Sequence, residues 1–181
     1  MGSSSGSVQH LVMLGIILLA TNPFGVQAKT LSIHKLEKLV QEEDYLHSRL
    51  RIAEFQENVL KVSWDLNLRR KLDNDWMVEF KVSRSEDGDG GYERIMLFEV
   101  HLCDFMKTYY KDFFYQRIKE YSNAPRPSTC PLPKEHYRLE DYPLDVRVLK
   151  KLMTPGHYRI KYKLKNDESV ILSYMAEVEV D

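Results

Sequence analysis

Strict alternation of apolar and polar residues is the feature of this chain that most limits its fold. In 59–68, VLKVSWDLNL, every even-numbered residue is apolar, and the residues between Lys61 and Asn67 that separate them are polar. The same period recurs in 76–83, 158–164 and 170–180. Successive side chains of a strand point to opposite faces, so each segment predicts a strand with one buried face and one solvated face.

Turn-forming segments separate these strands. The segment 69–75, RRKLDND, lies between the first two, and we expect it to close a hairpin. The loop SEDGDGG at 85–91 precedes a further strand expected over 92–102. A weaker strand is predicted for 144–149. Residues 32–50 are ambiguous: the spacing of their leucines and Val40 allows an amphipathic helix, but a short edge strand over RLRIAEF, 49–55, fits equally well.

One segment, CDFMKTYYKDFFYQRIKEY at 103–121, breaks the strand pattern and predicts a helix. Its inward stripe, read at steps of three and four, is Met106, Tyr110, Phe113 or Phe114, Arg117 or Ile118, and Tyr121. About six strands with regular turns and one helix predict an all-β fold, an antiparallel β-sandwich in a single domain.

The same helix carries more aromatic surface than one helix face can bury. Packing on a sheet explains any single ring, as it does for most buried aromatics. The surplus rings predict either the wall of an internal cavity or a partner interface, since many exposed rings are a liability for a secreted protein.

The N-terminal region predicts export. Residues 11–20, LVMLGIILLA, form an uncharged apolar run too short to cross a bilayer, and small residues Val26 and Ala28 follow at the positions that a signal peptidase reads. No Lys or Arg precedes the run. We expect a signal peptide over 1–28, removed to leave a secreted, extracellular domain at 29–181.

Charge and reactive side chains exclude several classes of protein. With 26 basic and 27 acidic residues, the chain lacks the excess of positive charge that is typical of proteins that bind nucleic acid. Cys103 and Cys130 are expected to form a disulfide in an exported chain, which is favoured over a metal or thiol–imidazole site at His101, Cys103 and Asp104. No nucleophile, zinc or phosphate-loop motif occurs, so we expect no catalytic residue, no metal, no cofactor and no enzyme activity.

Short motifs resemble a known family when taken in order: CDF at 103–105, the aromatic helix, YSN at 121–123, CP at 130–131 and PGHY at 155–158. The chain thereby resembles a large insect family of small secreted proteins classed as a domain of unknown function. That family is related to insect chemosensory proteins resembling ganglioside activator protein, and more distantly to the ML lipid-recognition superfamily. The resemblance covers about 45–180.

The resemblance implies an immunoglobulin-like, ML-like β-sandwich whose sheets part to admit a lipid, with Cys103 paired to Cys130. Members commonly carry a second cysteine pair nearer the N-terminus, and Ser48 stands at about the place of one of those cysteines.

Two functional hypotheses follow. The first is a secreted, non-enzymatic protein that binds a lipid or other apolar small molecule, with a chemosensory role by family analogy. Its expected ligand-binding residues are Trp64, Trp76, Phe80, Phe98, Phe105, Tyr109, Phe113 and Tyr162. The second is an extracellular protein-interaction module with a packed core and an aromatic interface.

The basic row Arg159, Lys161 and Lys163 has two interpretations. It is either the solvated face of a strand or a contact with anionic lipid headgroups or an acidic receptor. A membrane receptor or membrane surface is therefore a further expected partner, to which the bound molecule would be presented.

Overall fold

The computed structural model describes residues 30–181, which form two antiparallel sheets. The predicted signal peptide, 1–28, lies outside the described residues. The strands are β1 (Leu31–Gln41), β2 (Leu46–Gln56), β3 (Val59–Leu68), β4 (Trp76–Ser85), β5 (Glu93–His101), β6 (His136–Asp145), β7 (Gly156–Asn166) and β8 (Ser169–Val180).

One sheet has five strands in the order β1-β8-β7-β4-β5, and the other has three in the order β2-β3-β6. We call them the large sheet and the small sheet. The predicted antiparallel β-sandwich is therefore correct. Alternation also assigns the faces correctly. Even-numbered residues of β3, β4 and β7 supply the core residues Leu68, Val78 and Leu164. The odd-numbered residues of these strands include Lys61, Lys81 and Lys163, none of which is buried.

The predicted helix is present as a segment that we call α1, and its central part is wider than an α-helix. It comprises Leu102–Phe105, a π-helical stretch Met106–Tyr115, and Gln116–Ile118. The i→i+5 bonding of a π-helix places residues four and five apart over one another. Accordingly Met106 and Tyr110 are buried as expected, but Tyr115 follows them against the core instead of Phe113 or Phe114.

Three expectations about single elements are settled by the structure. Residues 69–75 do not close a hairpin, because β3 belongs to the small sheet and β4 to the large sheet. The predicted strand 144–149 is wrong: β6 ends at Asp145 and a short helix, α2, occupies Arg147–Leu152. The ambiguous segment 32–50 contains no helix: it forms most of β1, a turn at 43–45 and the start of β2, an edge strand of the small sheet.

Buried apolar residues form two separate clusters between the sheets. The larger lies around Leu68, Trp76 and Leu172, and the smaller around Tyr158 and Val178. The large sheet contributes to both clusters, so the sandwich core is divided along the length of its strands.

A disulfide joins Cys103 at the start of α1 to Cys130, as expected. It ties α1 to the connection that leads to β6, and it is compatible with an extracellular protein. Over residues 30–181, no helix is both long and apolar enough to cross a membrane.

Candidate functional site

A row of aromatic rings crosses the inner face of the large sheet. Strand register places Tyr174 beside Tyr162, Tyr162 beside Phe80, and Phe80 beside Phe98. Cross-strand neighbours at this spacing share one face. The rings of Phe80 and Phe98 are stacked with centroids 5.5 Å apart.

The row continues from the sheet onto α1. Tyr109 stacks on Phe98 with ring centroids 4.9 Å apart and an interplanar angle of 12°. Phe113 follows Tyr109 at 6.4 Å, and Phe105 flanks Tyr109 at 6.2 Å. We call the six rings of Tyr174, Tyr162, Phe80, Phe98, Tyr109 and Phe113 the ring row.

The ring row leads from the interior to the surface. Tyr174 is buried, Tyr162, Phe80 and Phe98 are half-buried, and Tyr109 and Phe113 are 39% and 57% exposed. Exposure therefore rises along the row from β8 through the edge strand β5 to α1.

The middle of the ring row contacts both core clusters. Tyr162 packs against the larger cluster and its neighbour Phe80 against the smaller one. On the small sheet, Ile52 and Val62 face each other in register, are half-buried, and belong to neither cluster.

Polar groups close the inner end of the ring row. The indole Nε1 of Trp64 donates to Ser48 Oγ at 2.8 Å, and Ser48 Oγ lies 3.0 Å from the Tyr174 hydroxyl. Ser48 is on β2 and Tyr174 on β8, so this group, which we call the polar trio, connects the two sheets.

Tyr162 is the cross-strand neighbour of Tyr174, a member of the polar trio. Burial raises the pKa of this phenol well above its usual range, so the group remains an O–H donor at physiological pH. Within residues 30–181, the Tyr162 hydroxyl has no hydrogen-bond partner.

The two tryptophans of the expected ligand-binding set do not belong to the ring row. Trp76 is only 3% exposed and packs edge-on against Tyr45 in the larger cluster, with ring centroids 5.7 Å apart. Trp64 is half-buried on the small sheet and takes part through its indole N–H. The structure brings together the other six expected residues: Phe80, Phe98, Phe105, Tyr109, Phe113 and Tyr162.

The outer face of the large sheet is polar and only partly neutralised. Arg159 pairs with Glu177 at 2.9 Å, and Lys163 pairs with Glu79 at 2.7 Å. Lys161, opposite Lys81, has no ion-pair partner among the described residues.

Two polar grooves lie elsewhere. One, of about 340 Å³, follows the β2–β3 turn over 54–60 and reaches Lys150. The other, of about 670 Å³, runs between 120–123 and 135–140. Neither groove includes a residue of the ring row.

His101 and Cys103, which the sequence places two residues apart, have separate partners. Cys103 is in the disulfide, and His101 Nδ1 lies 2.7 Å from the carbonyl oxygen of Asn74. Across residues 30–181, no cluster of three or more His, Cys, Asp and Glu side chains could hold a metal ion.

The fold and the site define a disulfide-bonded β-sandwich with an aromatic helix that packs on Phe98 of the edge strand β5. Residues 78–160 match a family described as a protein of unknown function, DUF1091. The match runs from β4 to β7 and includes α1 and both cysteines. No curated protein matches this chain.

Sequence reasoning missed the polar trio. Tyr174 stands in the alternating pattern of 170–180, so its inward direction could be read from the sequence. Ser48 gives no such signal, because nothing in the sequence distinguishes it from a solvent-exposed serine. Its role depends on the contact that β2 makes with Tyr174 of β8.

Proposed function

We propose that this protein is a secreted, non-enzymatic binding protein that holds a lipid or another apolar small molecule along the ring row. The observation that carries the proposal is the rise in exposure from buried Tyr174 to exposed Phe113. The outer four rings of the row, from Phe80 to Phe113, stack one on the next. Rings that served only to stabilise the core would be buried, whereas Tyr109 and Phe113 extend the row onto the surface.

The chemistry of the row suits an apolar guest. Ring faces offer flat apolar area without hydrogen-bonding demands, and each methylene that leaves water contributes about 0.8 kcal/mol. Four adjacent strands span about 14 Å at their usual spacing, so the sheet part of the row can cover an extended chain. The exposed α1 end provides the entrance.

Export and a chemosensory role belong to the same proposal. The disulfide suits an oxidising extracellular compartment, and the similarity of 78–160 to DUF1091 proteins is in keeping with the resemblance to secreted, chemosensory and ML-type lipid-binding proteins. The chemosensory part rests on family analogy alone.

Presentation to a membrane or receptor is supported by the edge of the large sheet. Leu97 on the edge strand β5 is 47% exposed and lies opposite Lys81, which in turn lies opposite Lys161. Apolar and cationic side chains in one row suit an anionic lipid surface or an acidic receptor.

The rival function, a protein-interaction module, is favoured by the same exposure. Ile95, Leu97, Phe113 and Phe114 expose apolar surface around the edge strand and α1. Uncovered edge strands readily pair with another chain. A ligand-free protein that self-associates or captures another protein through this surface would support the rival.

The test starts from protein purified from a eukaryotic secretory host. Native mass spectrometry before and after organic extraction should reveal lipid-sized adducts that extraction removes. The extracted protein should then take up the fluorescent apolar probe phenylnaphthylamine.

Matched alanine variants assign the uptake to the ring row. We expect Phe113→Ala to weaken probe binding about tenfold with little loss of stability, because Phe113 is largely exposed. The control is Phe55→Ala on the β2–β3 hairpin, where a similarly exposed ring lies outside the row. Absence of adducts and of probe uptake, or equal effects of both variants, would contradict the proposal.

A further inference from the structure

We propose that Asn74 is a positioning residue of the ligand site, which fixes the first turn of α1 and thereby holds the Tyr109 ring on Phe98. Asn74 belongs to the 69–75 connection between the two sheets and lies outside the ring row. The inference rests on the proposed function and concerns the same site.

The first turn of α1 receives its cap from a distant part of the chain. The first N–H groups of a helix have no acceptor within the helix, and the side chain of the preceding residue commonly accepts one of them. His101 stands at that position, and its side chain makes no capping hydrogen bond. The acceptor is Asn74, 29 residues away, whose Oδ1 receives the N–H of Cys103 at 3.1 Å.

His101 is held by the same asparagine. Its ring Nδ1 lies 2.7 Å from the carbonyl oxygen of Asn74. A carbonyl oxygen can only accept, so Nδ1 carries the hydrogen and donates it. Asn74 thus binds the residue before α1 through its backbone and the first turn of α1 through its side chain. Two bonds from one residue fix the direction of the helix start as well as its place.

The 69–75 connection also holds the other half of the disulfide. Leu72 donates its N–H to the carbonyl of Leu132 at 2.9 Å and accepts the N–H of Leu132 at 2.8 Å. Leu132 lies two residues after Cys130, the disulfide partner of Cys103. The contacts therefore close a circuit, in which Asn74 supplies the hydrogen bonds between the connection and the start of α1.

The outer rings of the site depend on where α1 starts. Phe105 comes two residues after Cys103, and its ring centroid lies 6.2 Å from that of Tyr109. Tyr109 stacks on Phe98 at 4.9 Å and is 39% exposed, so the core does not enclose it. Stacked rings attract within a narrow range of distance and angle. A first turn that frays would move these rings out of that range.

The test measures binding of phenylnaphthylamine to the extracted protein. We expect Asn74→Ala to weaken probe binding about fivefold, the factor by which loss of a helix cap typically shifts an equilibrium. Without ligand, the Cys103 amide should exchange with solvent about fivefold faster, and the NMR signals of the Tyr109 ring should move because its stacking on Phe98 loosens.

The conservative variant Asn74→Asp should restore all three properties. A carboxylate oxygen accepts the same hydrogen bond from the Cys103 N–H, and a negative charge is favourable at the start of a helix. Failure of this variant to restore probe binding would mean that the acceptor at position 74 does not set the site.

The control for general loss of stability is Tyr158→Phe. The Tyr158 hydroxyl donates to the carbonyl oxygen of Thr154 at 2.6 Å, and its ring lies in the smaller core cluster. Its removal should lower the Tm and leave probe affinity and Cys103 exchange unchanged. An equal loss of probe affinity in this variant would show that any destabilisation weakens the site, and would overturn the positioning role.

The outcomes separate this inference from the function on which it rests. Faster Cys103 exchange with wild-type probe affinity in Asn74→Ala overturns the positioning role and leaves apolar binding standing. Unchanged Cys103 exchange in that variant overturns the cap itself. A wild-type protein that does not take up the probe overturns both the positioning role and the proposed function.

Discussion

Glu79 illustrates how neighbouring residues decide the chemistry of a single side chain. It lies on the outer face of the large sheet and accepts hydrogen bonds from Lys163 at 2.7 Å and Lys165 at 3.3 Å. Burial opposes its ionisation, but the two ammonium groups outweigh burial and hold the pKa of Glu79 below its ordinary value of 4.5.

This shift predicts a pH-dependent contribution to stability. A carboxyl whose pKa is lower in the folded state stabilises the fold above its unfolded pKa, and this contribution is lost as the pH falls through the folded pKa. We therefore expect Glu79→Gln to lower the Tm by about 2–4 °C at neutral pH, with the difference disappearing in acid. Thermal unfolding followed from neutral pH down to strongly acidic pH measures it.

The control for this prediction is Glu86→Gln. The Glu86 side chain is 89% exposed and its nearest cation, Arg84, is 3.7 Å away, so its replacement should leave the curve unchanged. A Glu79→Gln variant with the wild-type Tm at neutral pH would contradict the argument.

Single aromatic residues also show which properties the sequence predicts and which it does not. Trp76 and Phe80 occupy equivalent even positions of β4, and the alternating pattern places both inward. Their surroundings differ because Trp76 lies within the larger cluster, whereas Phe80 is only half-buried and packs against the smaller one. The pattern predicts direction, and depth depends on what the opposite sheet supplies.

At the scale of elements, α1 carries two lines of side chains, one that packs on the core and one that forms a chain of ring contacts. Met106 and Tyr110 anchor it to the core, and Tyr110 donates its hydroxyl to the carbonyl oxygen of Pro125 at 2.8 Å. Phe105, Tyr109 and Phe114 form a second line on a different side, with Phe105 and Phe114 centroids 6.3 Å apart. The π-helical turn keeps both lines straight because it aligns residues four and five apart.

The two sides of α1 should respond differently to truncation. Met106→Ala removes a side chain that is 3% exposed and should lower the free energy of unfolding by about 2–4 kcal/mol. Phe114→Ala removes one that is 49% exposed and should lower it by less than about 1 kcal/mol. Urea unfolding of both variants tests this, and equal losses would mean that α1 is not oriented as described.

The disulfide connects α1 to the rest of the chain at a second point. Cys103 and Cys130 are 27 residues apart, and closing a loop of that length restricts the unfolded chain. We expect the double variant Cys103→Ser, Cys130→Ser to lose about 3–4 kcal/mol of unfolding free energy.

Urea unfolding measures the loss in that double variant. Wild-type protein unfolded under reducing conditions is the matched control and should reproduce the midpoint of the variant. Coincident midpoints for the oxidised wild type and the double variant would count against a stabilising bridge.

Elements also show where sequence reading fails. The 69–75 connection resembles a hairpin turn because turn residues stand between two alternating strands, yet it crosses from one sheet to the other. Leu72 within it is buried and bonds to Leu132 through both backbone groups. Composition does not distinguish these cases, because a crossing is decided by which strands pair.

At the scale of the whole molecule, we expect the protection of backbone amides against hydrogen exchange to depend on the position of each strand in its sheet. In the large sheet β8, β7 and β4 have neighbours on both sides, whereas β5 has a neighbour on one side only. Edge strands leave part of their backbone groups without a ladder partner. The amides of β5 should therefore exchange with solvent by local opening, well before those of β7 and β8.

Native-state hydrogen exchange read by mass spectrometry measures this order. Peptides from β7 and β8 should exchange at the rate set by global unfolding, and peptides from 93–101 at least about tenfold faster. The small-sheet strand β3, which also has two neighbours, serves as an internal reference. Uniform protection across both sheets would indicate that something covers the β5 edge.

The sequence by itself determined the class of fold, the inward face of most strands, the disulfide and the aromatic character of the helix. Each depends on local periodicity or on residue type, which is present in the chain before it folds. Tertiary structure alone decided that β3 and β4 lie in different sheets, that the core divides into two clusters, and that Ser48 meets Tyr174. These features depend on pairings between distant residues, 126 apart for the last, and no local pattern encodes such a choice.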